Sequence, residues 1–375
     1  MPKIEKAKTK LIILNVLFIL SCAVSVLAYR YLTNVNLSAP SLKPKPAYYL
    51  MSSSMLNKGA QLSLISRTND LINKESLNLQ DISKVALTSG RILFAGERAN
   101  NLLEITEKGQ KQFHLLDNPA YSGVTAICYG KDQLISVMNG NMTKEGYQSL
   151  LVVQDLAGNL LFQKVIPLFA QKAVVNGGKA YIVGAAVKND GNFACALTVV
   201  DLQAKTSATY ETEAEHKYKD VIACAGKLYC LSGDRNAIHK EIHIYDSETL
   251  KLNEKIYLPE EAAALFEFND KLHLLIGNKI QTLSAAGKLE KELYTLQPNG
   301  HFVQAHKQGE HLYILYKQSE AGSESRTIKV QIVDLHLRYG SKVATDYTLE
   351  NQPGQLLAFA PLPTPIPLQL PTPTL

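Results

Sequence analysis

A turn followed by a short apolar strand recurs along this chain every 40 to 48 residues, and a period of that length leaves few folds open. The copies read GRILFAG from Gly90, DQLISVM from Asp132, GKAYIVG from Gly178, GKLYCLSG from Gly226, DKLHLLIG from Asp270 and EHLYILY from Glu310. Aligned on Ile92, Leu134, Ala180, Leu228, Leu272 and Leu312, they are spaced by 42, 46, 48, 44 and 40 residues. One interval upstream lies AYYLMSS, from Ala47, a seventh copy.

Each copy has neighbours of the same kind. A short apolar segment precedes it, as in VTAICYG, KAVVNG, DVIACAG and AALFEFN. After it comes an alternating segment that often ends in aspartate (SLLVVQD, ALTVVD, EIHIYD, KVQIVD), then a fourth piece such as NLLFQKVI or LNEKIYL. Four short strands per repeat, rich in Val, Ile, Leu and Tyr and separated by tight turns, describe the blades of a propeller. No stretch of the body holds a helical apolar period over three turns. The first copy offers only three strands, Tyr48–Ser53, Gln61–Arg67 and Lys74–Leu79, and lacks the innermost one. The chain ends with a spare strand, Gln355–Ala360. Pairing the two closes a ring and removes two exposed edges. The expectation is an all-β, seven-bladed β-propeller over 48–360, its N-terminal blade completed by a C-terminal strand.

The charge is unevenly placed. Residues 1–47 carry Lys3, Lys6, Lys8, Lys10, Arg30, Lys43 and Lys45 against Glu5, a surplus of +6 within a net +5, which leaves the remainder at −1. A near-neutral body lacks the basic footprint that binding phosphates requires, so no nucleic-acid partner is expected. Leu11–Ala28, LIILNVLFILSCAVSVLA, follows four lysines and is about 27 Å long as a helix, enough for a hydrocarbon core. The lysines should stay cytoplasmic and the rest should follow the helix outward. The expected layout is a basic N-terminus over 1–10, a single-pass signal anchor over 11–32, a linker with Pro40, Pro44 and Pro46 over 33–47, and a Pro-rich tail over 361–375. Three fates compete for the anchor: retention, cleavage after Val26-Leu27-Ala28, and lipidation of Cys22 in Ile19-Leu20-Ser21-Cys22. All three place the propeller outside the cytoplasm, membrane-held in the first and third and secreted in the second.

The text IHIYDSETLKLNEKIYLP at Ile242–Pro259, with KLYCLSGDRN at Lys227–Asn236, resembles the YVTN-type propeller repeats of bacterial and archaeal surface proteins. The resemblance implies an extracytoplasmic propeller and brings no functional motif. With no tryptophan in the chain, quinoprotein dehydrogenase blades, sialidase Asp boxes, kelch blades and ordinary WD repeats are disfavoured. GxSxG, HExxH and P-loop patterns are missing, as are CxxC and zinc spacings, so no cofactor and no metal is expected.

The remaining candidates are weaker. Asp155, Asp201, Asp246 and Asp334 end strands in register, which suits caps on tight turns better than a ring of ligands. His239, Glu241 and His243 alternate along one strand, but same-face steps of about 6.8 Å are too long for one strand to bring three ligands to one ion. His243 could instead meet His273 on the next blade. Cys224 and Cys230 flank the turn Ala225–Tyr229 and form a candidate disulfide on an oxidising side of the membrane. Propeller sites are built by loops between second and third strands and between blades. The polar ones are Glu97–Asn100, Asn139–Tyr147, Lys188–Asn192, Asp234–Asn236 and Lys317–Thr327, and the binding candidates are Arg98, Asn100, Asp190, Asp234, Arg235 and Asn236. The reading is a membrane-anchored binding or scaffold module for an envelope, glycan or protein partner. The alternative is an extracytoplasmic, lactonase-like hydrolase with three or more carboxylates or histidines converging at the channel mouth.

Overall fold

The second strands of the repeats are apolar along their whole length, not alternately, because each blade is covered on both faces by its neighbours. Leu134–Met138 and Ala180–Ala186 are buried without a break, whereas the outermost strand Leu160–Ile166 is largely exposed. In the computed structural model, residues 46–362 are described, apart from 89, 114, 116–119, 235, 237, 285–286, 296–299, 319–326 and 352–353. The expected anchor, most of the linker and the Pro-rich tail lie outside the described residues.

Among the described residues, twenty-eight strands form seven antiparallel four-stranded sheets. Blades II to VII are each built from four consecutive strands, beginning at Ile82, Val124, Phe169, Lys217, Ala262 and Gly300. Blade I takes its innermost strand, Gln355–Pro361, from the end of the chain; Pro46–Ser54, Ala60–Ser66 and Leu71–Leu77 follow in order. Tyr49 pairs with Ala360 and Met51 with Ala358 in an unbroken register. The closure expected from the sequence is therefore the one observed, with the outermost strand of this blade starting three residues early, at Leu71 and not Lys74. Among the described residues there is no helix, and so none long and apolar enough to cross a membrane.

The core is divided. Buried apolar side chains fall into seven clusters, each lying between two adjacent blades. At the closing seam Tyr48, Leu50 and Phe359 of blade I pack on Tyr313, Leu315 and Ile332 of blade VII. Between blades IV and V, Tyr181, Val183 and Leu197 meet Tyr218, Val221 and Cys230. Each cluster needs both walls, so no blade has a core of its own.

One expected loop is a strand pair. Asn139–Tyr147 is the end of a long hairpin, Gln133–Thr143 with Gly146–Asp155, turning at Lys144-Glu145. Gly140 permits this closeness, since a Cβ there would lie 1.7 Å from the Gln148 carbonyl oxygen.

Candidate functional site

The innermost strands share a defect that positions the channel lining. In each of blades II to VII the pairing of the first strand with the second skips one residue: Ser83, Thr125, Gln171, Lys219, Ala263 and Val303. Blade I, closed by the late strand, has no such skip. A bulge bends a strand and re-aims the side chains beside it. The residue after the bulge is Lys84, Ala126, Lys172, Asp220, Ala264 or Gln304, so one blade position contributes four polar side chains from four blades to the channel wall. The cavity they line holds about 590 Å³.

These side chains tie the ring together as well as lining it. Asp220 accepts from its neighbour Val221 N at 3.0 Å and from Leu265 N of blade VI at 3.0 Å, and Lys172 of blade IV lies 4.0 Å from it. Gln304 of blade VII accepts from Phe359 N in the closing strand. Lys84 pairs with Glu97 at 3.4 Å and Lys307 with Glu267 at 2.9 Å. Burial pushes the Lys219 amine below the usual lysine range, against Glu261 and Asp220, which support its charge. His306 also lines the channel; burial, with Lys172 adding to it, holds its imidazole down at about 3, and its Nε2 is enclosed without a hydrogen-bond partner. The channel wall thus carries Lys84, Lys172, Lys219 and Lys307 against Asp220 and Glu267. The two carboxylates are already engaged by backbone N–H groups or by lysine.

The loop residues singled out from the sequence stay on separate blades. Arg98 is exposed, and its backbone N–H is held by the buried carboxylate of Asp81. Asn100 receives Leu115 N on its Oδ1. Asp190 caps its own turn through Asn192 N and Nδ2, and it helps line a cavity of about 390 Å³ between blades III and IV with Lys144, Lys188 and Glu211. Asp234 caps a turn through Asn236 N and Ile238 N, Asn236 is exposed, and Arg235 lies outside the described residues. The channel residues were missed because they sit in strands. The available signal was a charged or amide residue recurring at one position of four first strands: Lys84, Lys172, Asp220 and Gln304.

Three of the four strand-ending aspartates cap turns. Asp155 Oδ1 accepts Ala157 N and Asn159 N, Asp201 Oδ1 accepts Gln203 N and Ala204 N, and Asp246 Oδ1 accepts Glu248 N and Thr249 N. Asp334 does something else. Its strand continues to His336, so its carboxylate is buried and binds Arg67 of blade I and His311. The candidate disulfide is also corrected. The turn is Ala225-Gly226, which pairs Cys224 with Lys227 and Cys230 with Val221. An odd offset puts the two thiols on opposite faces of the blade, and both are free.

His243 does not meet His273, which stacks on Phe266 and bonds the Lys271 carbonyl. It faces blade IV instead, where Glu213 joins Glu241 and His243 in a group whose ligand atoms all lie within 4.8 Å of one another. Among the described residues this is the trio with metal-ligand spacing, and it lies between blades, away from the channel lining.

The fold and its channel define a seven-bladed β-propeller. No family model matches the sequence, and no curated protein matches it. A functionally unknown protein from Desulfotomaculum acetoxidans is similar in structure, with a TM-score of 0.50 at 13% identity over 81% of this chain and 99% of that one. Apo AztD from Citrobacter koseri aligns at a TM-score of 0.43 and 9% identity over 84% and 99%, and BamB from Moraxella catarrhalis at 0.43 and 11% over 80% and 92%. At such identities the likeness extends to the fold alone. The YVTN-type resemblance therefore rests on the Lys227–Pro259 text.

Proposed function

We propose that this chain is a membrane-tethered propeller outside the cytoplasm, acting as a binding or scaffold module for a protein, glycan or envelope component. The observation that carries the reading is the bulged blade position. It sets Lys84, Lys172, Asp220 and Gln304, from four blades, around one channel on a frame closed by Gln355–Pro361. Polar groups held on a rigid ring lose little freedom on meeting a partner, which favours recognition. The lysine-flanked apolar run Leu11–Ala28 supports the tether and the topology.

The test is site-specific crosslinking in cells producing the full chain. A photoreactive residue replaces Val303 at the channel wall or, as the control, Tyr257 on an outer strand, which is 70% exposed. A discrete adduct from Val303 that is missing from Tyr257 supports the reading. No adduct at Val303, or equal adducts at both, sinks it. Mass spectrometry of the mature N-terminus, with labelling of intact cells by a membrane-impermeant amine reagent, tests the tether separately.

A further inference from the structure

We propose that the chain binds one divalent transition-metal ion of the zinc class between blades IV and V, on His243, Glu241 and Glu213, with His216 as the fourth ligand. The ligands come from two blades, which removes the objection that one strand is too extended to supply them. Glu241 and His243 are two residues apart on the third strand of blade V and share the face toward blade IV. Glu213 stands near the end of the outermost strand of blade IV, and His216 lies in the connection that follows.

The distances fit an ion. His243 Nε2 is 3.3 Å from Glu213 Oε2 and 3.2 Å from Glu241 Oε2. A tetrahedral ion with bonds of about 2.0 Å needs ligand atoms about 3.3 Å apart, so these two edges require almost no movement. His216 Nδ1 is 3.8 Å from Glu241 Oε2 but stands outside the 4.8 Å that holds the other three together, so it completes the set only by a shift of the connection that carries it. That nitrogen is enclosed and has no hydrogen-bond partner.

The support behind His243 is of the kind metal ligands have. Its side chain is fully buried, and its Nδ1 is 2.7 Å from the Tyr218 hydroxyl, which is bonded in turn to Tyr245 and Thr212. The Tyr218 ring stands edge-on to the imidazole at 5.4 Å. A second ring nitrogen fixed by an oxygen partner sets the tautomer and aims the other nitrogen at the ion. Two carboxylates facing one imidazole nitrogen also need positive charge. Lys255 Nζ, 2.7 Å from Glu213 Oε2, supplies it on the outer side and competes with an ion for that oxygen. Two imidazoles and two carboxylates suit Zn²⁺ better than Ca²⁺ or Mg²⁺, which prefer all-oxygen shells.

The test is titration of the chelator-stripped full chain with ZnCl₂, by calorimetry and by competition with a micromolar chromophoric chelator, and with CoCl₂ for tetrahedral visible bands. One saturable equivalent that competes with the chelator is expected. Glu241→Gln and Glu213→Gln keep shape at partly exposed positions, and each should weaken binding about a hundredfold; His216→Ala should weaken it about tenfold. Lys255→Met should tighten it several-fold, which loss of a purely structural salt bridge would not do. His336→Gln, in another histidine–carboxylate pair, should leave it unchanged. No saturable equivalent, or one that survives both glutamine substitutions, overturns the proposal.

Discussion

Arg67 Nη2 lies 2.8 Å from Asp334 Oδ2, across the seam where the last complete blade meets the first. Asp334 is 3% exposed, and its other oxygen takes His311 Nδ1 at 2.6 Å. Nearby, Thr345 Oγ1 donates to the Arg67 carbonyl, and Gln355 Nε2 donates to Ser52 Oγ within blade I. The Tyr48 phenol, pushed up to about 12 by burial and by Asp334, stays neutral beside the pair. The ring is thus fastened by charge and hydrogen bonds as well as by strand pairing.

Removing Arg67 strands a buried carboxylate. Arg67→Met should lower stability by about 2 kcal/mol, discounted because the guanidinium is half exposed. Asp334→Asn added to that variant should recover part of the loss, because no uncompensated charge remains. Urea denaturation of the single and double variants measures this coupling.

The closing strand contributes mainly through Phe359, which is fully buried between blades VII and I and lies 5.1 Å from the His306 ring. Phe359→Ala should cost about 3–4 kcal/mol. Hydrogen exchange should show the loss spread through Pro46–Leu77 as well as 355–361, since blade I is held only when its innermost strand is.

His306 should make the protein acid-sensitive. Its folded value near 3 lies below the ordinary 6.5, so the unfolded chain takes up a proton first as pH falls. The stabilising contribution is whole above about 6.5 and drains away toward 3, with about 2 kcal/mol gone between about pH 7 and about pH 5. His306→Gln should flatten that slope in urea midpoints measured across the range. An unchanged slope would show that the imidazole takes no part.

The thiols should be silent until unfolding. Burial pushes the Cys128 and Cys195 thiols up to about 12 and raises Cys230 well above the usual range, while Cys224 is buried on the other face. A maleimide should leave Cys128, Cys195, Cys224 and Cys230 unlabelled in the native protein and label them fully in denaturant. Peptide mapping without reduction should find no 224–230 crosslink.

The ring was legible because its signals are local and repeated. A turn, an apolar strand and a spare strand at the end can be read without knowing which blades touch. The turn caps at Asp155, Asp201 and Asp246 were legible for the same reason. Asp334 was not, since its destination is set by Arg67, whose blade reaches it only after closure. The cysteines failed on parity: one residue more or less in the Ala225-Gly226 turn moves a side chain through the sheet. The channel position was hidden because a bulge is a response to curvature, and a sequence period does not report it. Glu213 is thirty residues from His243, and only the packing of two blades brings them together.

Tyr48 pairs with Pro361, and Leu362 N donates to the Ala47 carbonyl at 2.8 Å, so the entry and exit of the ring are one place. That place is at the end of blade I where first strands turn into second ones, opposite the end that bears Asp190, Asp234 and the blade connections. The backbone is therefore a loop in all but one peptide link. Joining 361 to 46 through a short linker and cutting instead in the exposed turn Ala157-Gly158 would give a permuted chain with the same hub. A tag, a bead or a lipid surface attached at either native end grips the same corner and leaves the opposite rim free to be met.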